Sequence, residues 1–171
     1  MPFWRTYYHL VWATKERAHL IQPSIEARLF PYLVGKAREL EMRVYAINGW
    51  TDHIHLVASI PPKHAVAYVV KRLKGASAFD LNHTRPGDEQ FNWQRGYGVF
   101  TLGESQLDKA IAYVRNQKQH HQQQTVNNWL ERMNEFDEGP PDEGLAADKV
   151  LAAVREPEPV YQIWPENEMP F

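Results

Sequence analysis

The chain has 171 residues, 43% hydrophobic and 23% charged, enough for one ordinary core with an appendage and too short for two domains of typical size. It contains no cysteine, which excludes a disulfide framework, a thiolate zinc site and a cysteine nucleophile, and fits a reducing compartment. The formal charge of −2 is unevenly spread: residues 1–125 carry 16 Lys and Arg against 10 Asp and Glu, and residues 126–171 carry 3 against 11, so a basic body bears an acidic tail, a pattern that a polyanionic partner and a merely solvated charged surface both produce.

The opening MPFWRTYYHLVWATKER has no basic-then-apolar signal pattern, and no stretch approaches about 18 uncharged apolar residues, so a cytoplasmic protein with no membrane partner is expected. RTYYHLVWA at 5–13 is dense in aromatic and β-branched side chains and predicts a first strand. Ser24 is a candidate N-cap, and Ile25, Leu29, Leu33 and Leu40 recur with helical spacing over 24–41, with Pro31 expected to bend or break that helix. RVYAIN at 43–48 and HIHLVASI at 53–60 predict a hairpin joined by a tight connection at 49–52 and stopped by Pro61-Pro62. A helix over 64–80 and a strand over 96–102 complete the order βαββαβ. That order fits a ferredoxin-like (RRM-like) α+β fold with an antiparallel sheet, helices on one face and the other face open. Ser105 and Asp108 have capping-box spacing for an added C-terminal helix, 105–124, with the apolar stripe Leu107, Ala110, Ile111 and Val114. Trp129, Met133 and Phe136 could extend an amphipathic helix; an acidic Pro/Gly linker at 135–144, a short helix at 145–154 and a Pro-rich end follow.

Residues two apart on a strand share a face and lie about 6.6 Å apart. His53 and His55 therefore point the same way, while Ile54, Leu56, Ala58 and Ile60 form the apolar face that the helices cover. Two solvent-facing histidines and two ligands converging on one metal ion both satisfy that spacing. On the helix, Tyr113 and Gln117 are four apart, roughly 40° around the axis and on the flank of the apolar stripe. Together these suggest two imidazoles and an amide oxygen around a divalent cation, with a phenol beside it. A cation bridging to phosphate would let a weak hydroxyl nucleophile attack. No glycine-rich phosphate cradle is present, so no nucleotide cofactor is expected.

The words YYHLVWATKER (7–17), INGWTDHIHLVASI (47–60), VVKRLKGASA (69–78), FNWQRGYGVFTLGES (91–105) and AIAYVRNQKQHH (110–121) carry a family resemblance over about 120 residues. In this order they resemble the single-tyrosine HUH transposases of small bacterial insertion sequences, REP-associated tyrosine transposase relatives included. The resemblance identifies His53-Ile54-His55 as the HUH motif, Tyr113 as the catalytic nucleophile and Gln117 as the third metal ligand. It implies an enzyme dependent on Mg²⁺ or Mn²⁺ that cuts and rejoins single-stranded DNA at hairpin-marked ends through a 5′-phosphotyrosine. It also implies a homodimer in which Tyr113 acts in cis or in trans, and both remain open. Mg²⁺ and Mn²⁺ are likewise both open.

Lys15, Arg17, Lys71, Arg72, Lys74 and Arg95 are candidates for phosphate contacts, and Trp12, Trp93 and Tyr97 for base stacking, with burial in the core as their alternative. His120 and His121 are expected to be solvated near a helix end. The catalytic domain is drawn at 1–125 and the acidic extension at 126–171, where Tyr161, Trp164 and Phe171 could dock on the body. Two other classes remain as competitors: a non-catalytic single-stranded nucleic-acid-binding module on the same fold, and a metal-dependent hydrolase, for which no carboxylate beyond Asp52 stands out.

Overall fold

Seven residues without glycine or proline, YYHLVWA, form β1 (Tyr7–Ala13) at the middle of the sheet, where aromatic and β-branched side chains can pack on both faces. In this computed structural model residues 3–84, 90–128 and 130–133 are described; the expected acidic linker, the 145–154 helix and the three tail aromatics lie outside them. Downstream of β1 come α1 (Pro23–Glu39), β2 (Arg43–Gly49), β3 (His53–Ser59), α2 (Val66–Thr84), β4 (Gly98–Leu102), α3 (Leu107–Arg115) and α4 (Gln117–Gln123). The four strands pair antiparallel in the order β2-β3-β1-β4. The fold is therefore the α+β, ferredoxin-like βαββαβ sheet, followed by the helix that carries Tyr113.

The two faces of the sheet follow the strand period. Leu10, Trp12, Ile54, Leu56 and Ala58 sink into the main core with Ile25, Leu29 and Leu33 of α1 and Val69, Val70 and Leu73 of α2. Trp12 is fully buried there, and Trp93 packs edge-on against it, with its indole N–H donated to Ser77 Oγ at 2.9 Å. Tyr97 packs against the same core. Trp12 is thus core, and Trp93 and Tyr97 are partly buried against it. The opposite face is not open, as the pattern had suggested. Val57 and Ala46 form a second small core with Val114, joined by Leu107, Ala110, Ile111 and Tyr113, so α3 lies over the sheet beside the histidines.

Three local expectations are corrected. The cap of α1 is Gln22, with Pro23 in the first turn, where its missing N–H costs nothing. The helix runs unbroken through Pro31, which sits on the exposed side with Ala27 one turn before it, so the lost bond faces water. The predicted 105–124 helix is two helices: a 3₁₀ turn at Glu104–Gln106 leads into α3, and Asn116 (φ −94°, ψ 13°) separates α3 from α4. Its opening is closed by Gln106, which accepts from the Gly103 N–H at 2.9 Å through Oε1 and donates its own N–H to the Gly103 carbonyl at 2.9 Å, and not by the Ser105 and Asp108 pair. Residues 125–128 and 130–133 form turns and irregular chain, not an extension of the helix.

The hairpin between β2 and β3 is tight enough to exclude a side chain at its entry. A Cβ on Gly49 would lie 2.2 Å from the His53 carbonyl oxygen and 2.8 Å from Ile54 Cα, whereas one on Gly35 of α1 would meet nothing within 4 Å. Gly49→Ala is expected to destabilise the protein by about 1–3 kcal/mol and Gly35→Ala to stabilise it by about 0.5–1 kcal/mol, both read from urea unfolding midpoints.

Candidate active site

Strand β3 delivers His53 and His55 onto the sheet face beneath α3. Their ring centroids are 5.0 Å apart at 81°, and both rings are buried rather than solvent-facing, at 1% and 0% exposure. Each ring is held from behind by a different group. His53 Nδ1 lies 2.6 Å from Asp52 Oδ1, and Arg17 donates to the other oxygen of Asp52 at 2.9 Å. An acceptor-only carboxylate requires the hydrogen on Nδ1 and leaves Nε2 facing the site. His55 Nδ1 instead meets His9 Nε2, 2.8 Å away.

Arg17 reaches Asp52 from a strained turn. Glu16 and Arg17 have φ of 55° and 52°, a left-handed conformation that non-glycine residues adopt at a cost and that recurs at functional sites. Thr14 anchors the turn, its hydroxyl donating to the Ala18 carbonyl at 2.6 Å and its N–H to the Asp52 carbonyl at 2.8 Å.

The nucleophile candidate comes from α3. Its ring is 6.1 Å from that of His55, centroid to centroid, so within a single chain Tyr113 lies over that chain's own histidines. The group that joins them is Glu131, which the sequence did not single out. Its Oε2 is 3.1 Å from His53 Nε2 and 3.1 Å from His55 Nε2, and its Oε1 accepts the Tyr113 hydroxyl at 2.8 Å. The phenolic oxygen accepts the Asn127 N–H at 3.0 Å. Glu131 stands far along the chain, at the edge of the acidic tail, and no motif spacing marks it; only the folded chain brings it to the histidines.

Gln117, expected to flank the stripe without burial, is fully buried at the start of α4. Neither its Nε2 nor its Oε1 makes a hydrogen bond. An amide buried without partners is costly and marks a place where a polar ligand belongs. The described residues that can converge on one metal ion are His53, His55 and Glu131. The two C-terminal histidines are not solvated bystanders either: His120 stacks on Tyr113 at 4.9 Å, and His121 stacks on Trp50 at 5.1 Å with its Nε2 3.2 Å from His53 Nε2.

Burial opposes charge throughout the cluster, and specific partners decide where it survives. Burial and the adjacent His55 hold His9 down at about 3, and burial lowers His55 as well; both are neutral imidazoles. For His53, burial is outweighed by the bonds to Asp52 and Glu131, which raise it. Burial would raise Asp52 and Glu131, but His53 with Arg17 holds Asp52 at about 2, and His53 with His55 holds Glu131 below the usual carboxylate range. Burial raises the Tyr113 phenol.

Of the six basic candidates, Lys15, Arg17, Lys71, Arg72 and Arg95 are exposed. Lys74 is turned inward: its ammonium donates to the Gln94 carbonyl at 2.6 Å and the Gly96 carbonyl at 2.8 Å, tying the 94–96 loop to α2, and burial lowers it to about 8.

The Asp52 contact has a defined pH signature. Asp52 is depressed from 3.8 to about 2, so its stabilisation is present above about pH 4 and lost as pH falls toward 2. His53 is raised above 6.5, so its share is complete below that value and lost as pH rises through the folded value. Asp52→Asn is expected to cost about 1–3 kcal/mol between pH 4 and 6.5, with the difference shrinking on either side, as measured by urea denaturation across pH.

Comparison with known proteins places this geometry. The sequence pattern of the IS200-like transposases matches residues 2–117. The chain is 30% identical over 120 residues to the transposase for insertion sequence element IS200 of Salmonella typhimurium strain LT2, covering 67% of this chain and 78% of that one. To the ISDra2 transposase TnpA of Deinococcus radiodurans it is 28% identical over 115 residues, 64% of this chain and 82% of that one. A crystal structure of a Deinococcus radiodurans R1 protein assigned as a transposase superposes with a TM-score of 0.54 at 28% identity, covering 68% of this chain and 95% of that one. The structure of a REP-associated tyrosine transposase bound to a REP hairpin shares the fold, with a TM-score of 0.55 at 12% identity over 71% of this chain and 74% of that one.

Proposed function

This chain belongs to the IS200-like transposases, and from that premise we propose that it cuts and rejoins single-stranded DNA at hairpin-marked ends with Tyr113 as nucleophile. The observation that carries the reading is the Glu131 carboxylate, one oxygen against both imidazoles and the other against the phenol. Ligand atoms and nucleophile are thus within one small anion of each other, the spacing that a phosphate between them requires.

The donor set fits a divalent cation. Two imidazoles present Nε2, a carboxylate converges with them, and the orphaned Gln117 amide supplies an unused oxygen in the same buried region. His53, His55 and Gln117 would hold Mg²⁺ or Mn²⁺, with Glu131 within reach; imidazole and amide donors suit Mn²⁺ and availability favours Mg²⁺. When bound, the ion supplies Lewis-acid polarisation of a phosphate oxygen.

The protein's own groups do the rest. Tyr113 Oη attacks phosphorus, the P–O3′ bond breaks, and a 5′-phosphotyrosine and a free 3′-hydroxyl result. The phenolic O–H points at Glu131 Oε1, which stands as the acceptor for its proton, and the departing 3′-oxygen takes up a proton. Attack of a 3′-hydroxyl on the phosphotyrosine reverses these bonds and joins the strands, so no nucleotide cofactor is needed. The neighbour bound to a REP hairpin supports a hairpin partner, and the exposed Lys15, Arg17, Lys71, Arg72 and Arg95 supply phosphate contacts. Residues 1–125 carry the nucleophile and both histidines, and the extension contributes Glu131. The outer edges of β2 and β4 offer strand pairing for a homodimer, in which Tyr113 acts in cis or in trans.

Incubation of the full chain with labelled hairpin DNA and Mg²⁺ or Mn²⁺, followed by a denaturing gel, is expected to show a covalent adduct. Tyr113→Phe, and separately His53→Ala with His55→Ala, abolish it while hairpin binding persists. An adduct in Tyr113→Phe refutes the nucleophile; cleavage with no adduct in the wild type would favour a hydrolase that uses Glu131. Each of Lys71→Ala and Arg95→Ala should weaken binding and lower the slope of log affinity against log salt by about 0.7.

A further inference from the structure

Strand β1 places a third imidazole beside the pair, one that the cutting chemistry leaves unused. His9 pairs with Val57 and Val11 with His55 in the β1–β3 ladder, so His9 and His55 are diagonal neighbours on one face. The two rings stack at 5.0 Å and 20°, and Phe100 closes the far side of His9 at 5.8 Å. His9 is 1% exposed, and its Nε2 is 2.8 Å from His55 Nδ1. Backbone register and packing on both sides fix this contact.

We propose that His9 is a positioning residue for His55 that works in two directions, accepting from His55 Nδ1 when Nε2 of His55 faces a divalent cation and donating to it when Nε2 is turned to Glu131. It rests on the reading that a cation binds between His53 and His55. A neutral imidazole carries one N–H. Oε2 of Glu131, 3.1 Å from His55 Nε2, requires that hydrogen on Nε2, which leaves Nδ1 as an acceptor. A cation at Nε2 requires the hydrogen on Nδ1, which makes it a donor. A carboxylate or backbone carbonyl behind Nδ1 serves only the second state. A neutral imidazole serves both, because it can carry its own hydrogen on either nitrogen. In the exchange one hydrogen moves from Nε2 to Nδ1 on each ring, and the pair neither gains nor loses a proton.

His53 provides the contrast. Asp52 behind it only accepts and is pinned by Arg17, so its Nδ1 keeps the hydrogen in either state. The two ligands thus differ: His53 is fixed, and His55 can pass between a carboxylate and a cation without being stranded in the wrong tautomer.

The test uses the full-length chain and the metal alone. In ¹⁵N-histidine-labelled protein, the His55 hydrogen is expected on Nε2 without cation and on Nδ1 at saturating Mg²⁺, with His9 Nε2 as its acceptor. By calorimetry His9→Met, which offers neither donor nor acceptor, should lose about 10–100-fold in Mn²⁺ affinity. His9→Gln, whose amide can do both, should stay within a few-fold of wild type. Folding of both variants is checked by thermal melting; if His9→Met does not fold, the wild-type tautomers and His9→Gln decide. A His55 hydrogen on the same nitrogen with and without Mg²⁺, or wild-type Mn²⁺ affinity in a folded His9→Met, overturns the role of His9 alone. No cation binding by the wild type overturns it together with the metal reading beneath it.

Discussion

The antiparallel register of β1 against β3 is the constraint on which the site depends. Pairing of Val11 with His55 and Ala13 with His53 sends the histidines to one face and Leu10, Trp12, Ile54 and Leu56 to the other. A slip of one residue would exchange the two sets, putting imidazoles into the apolar core and leucines beneath α3. The hydrophobic effect that fills the main core therefore also aims the histidines. The tight hairpin, with no room for a side chain at Gly49, holds the end of β3 where His53 begins.

Burying a cluster of polar groups on the second face is costly, and the structure shows how the cost is met. Asp52 is bracketed by His53 and Arg17, Glu131 by His53, His55 and the Tyr113 hydroxyl, and His55 by His9. Gln117 is the exception, fully buried with both amide atoms unpaired. Among the described residues of this face, a network satisfied at all but one amide, near Tyr113, is arranged around something it is meant to receive. The strained Glu16-Arg17 turn is a further local cost, spent in holding a guanidinium on Asp52.

Much of this was legible in the sequence because it depends on short periods. Alternation in HIHLVASI separated the histidine face from the core face, and helical spacing in LDKAIAYV found the stripe that covers the second face. The order of elements gave the ferredoxin-like sheet. What was not legible depends on long-range placement. Glu131 is 76 residues from His55 and has no periodic relation to it. Burial of the histidines, of Gln117 and of the His121 contact with His53 follows from α3 and α4 folding over a face that strand periodicity alone left open. The break at Asn116 falls in a polar run, RNQKQHHQQQ, with no glycine or proline to mark it. Trp12 and Trp93 are hydrophobic anchors before anything else, and Lys74 became a loop tie because two carbonyls were within its reach.

The central claim is that a divalent cation sits on the Nε2 atoms of His53 and His55 beside Tyr113. Pulsed electron paramagnetic resonance of the full chain loaded with one equivalent of Mn²⁺ addresses it directly. The account predicts two directly coordinated imidazole nitrogens, one lost in His53→Ala and the other in His55→Ala. Mn²⁺ bound without nitrogen coupling, or with coupling unchanged in both variants, would contradict it.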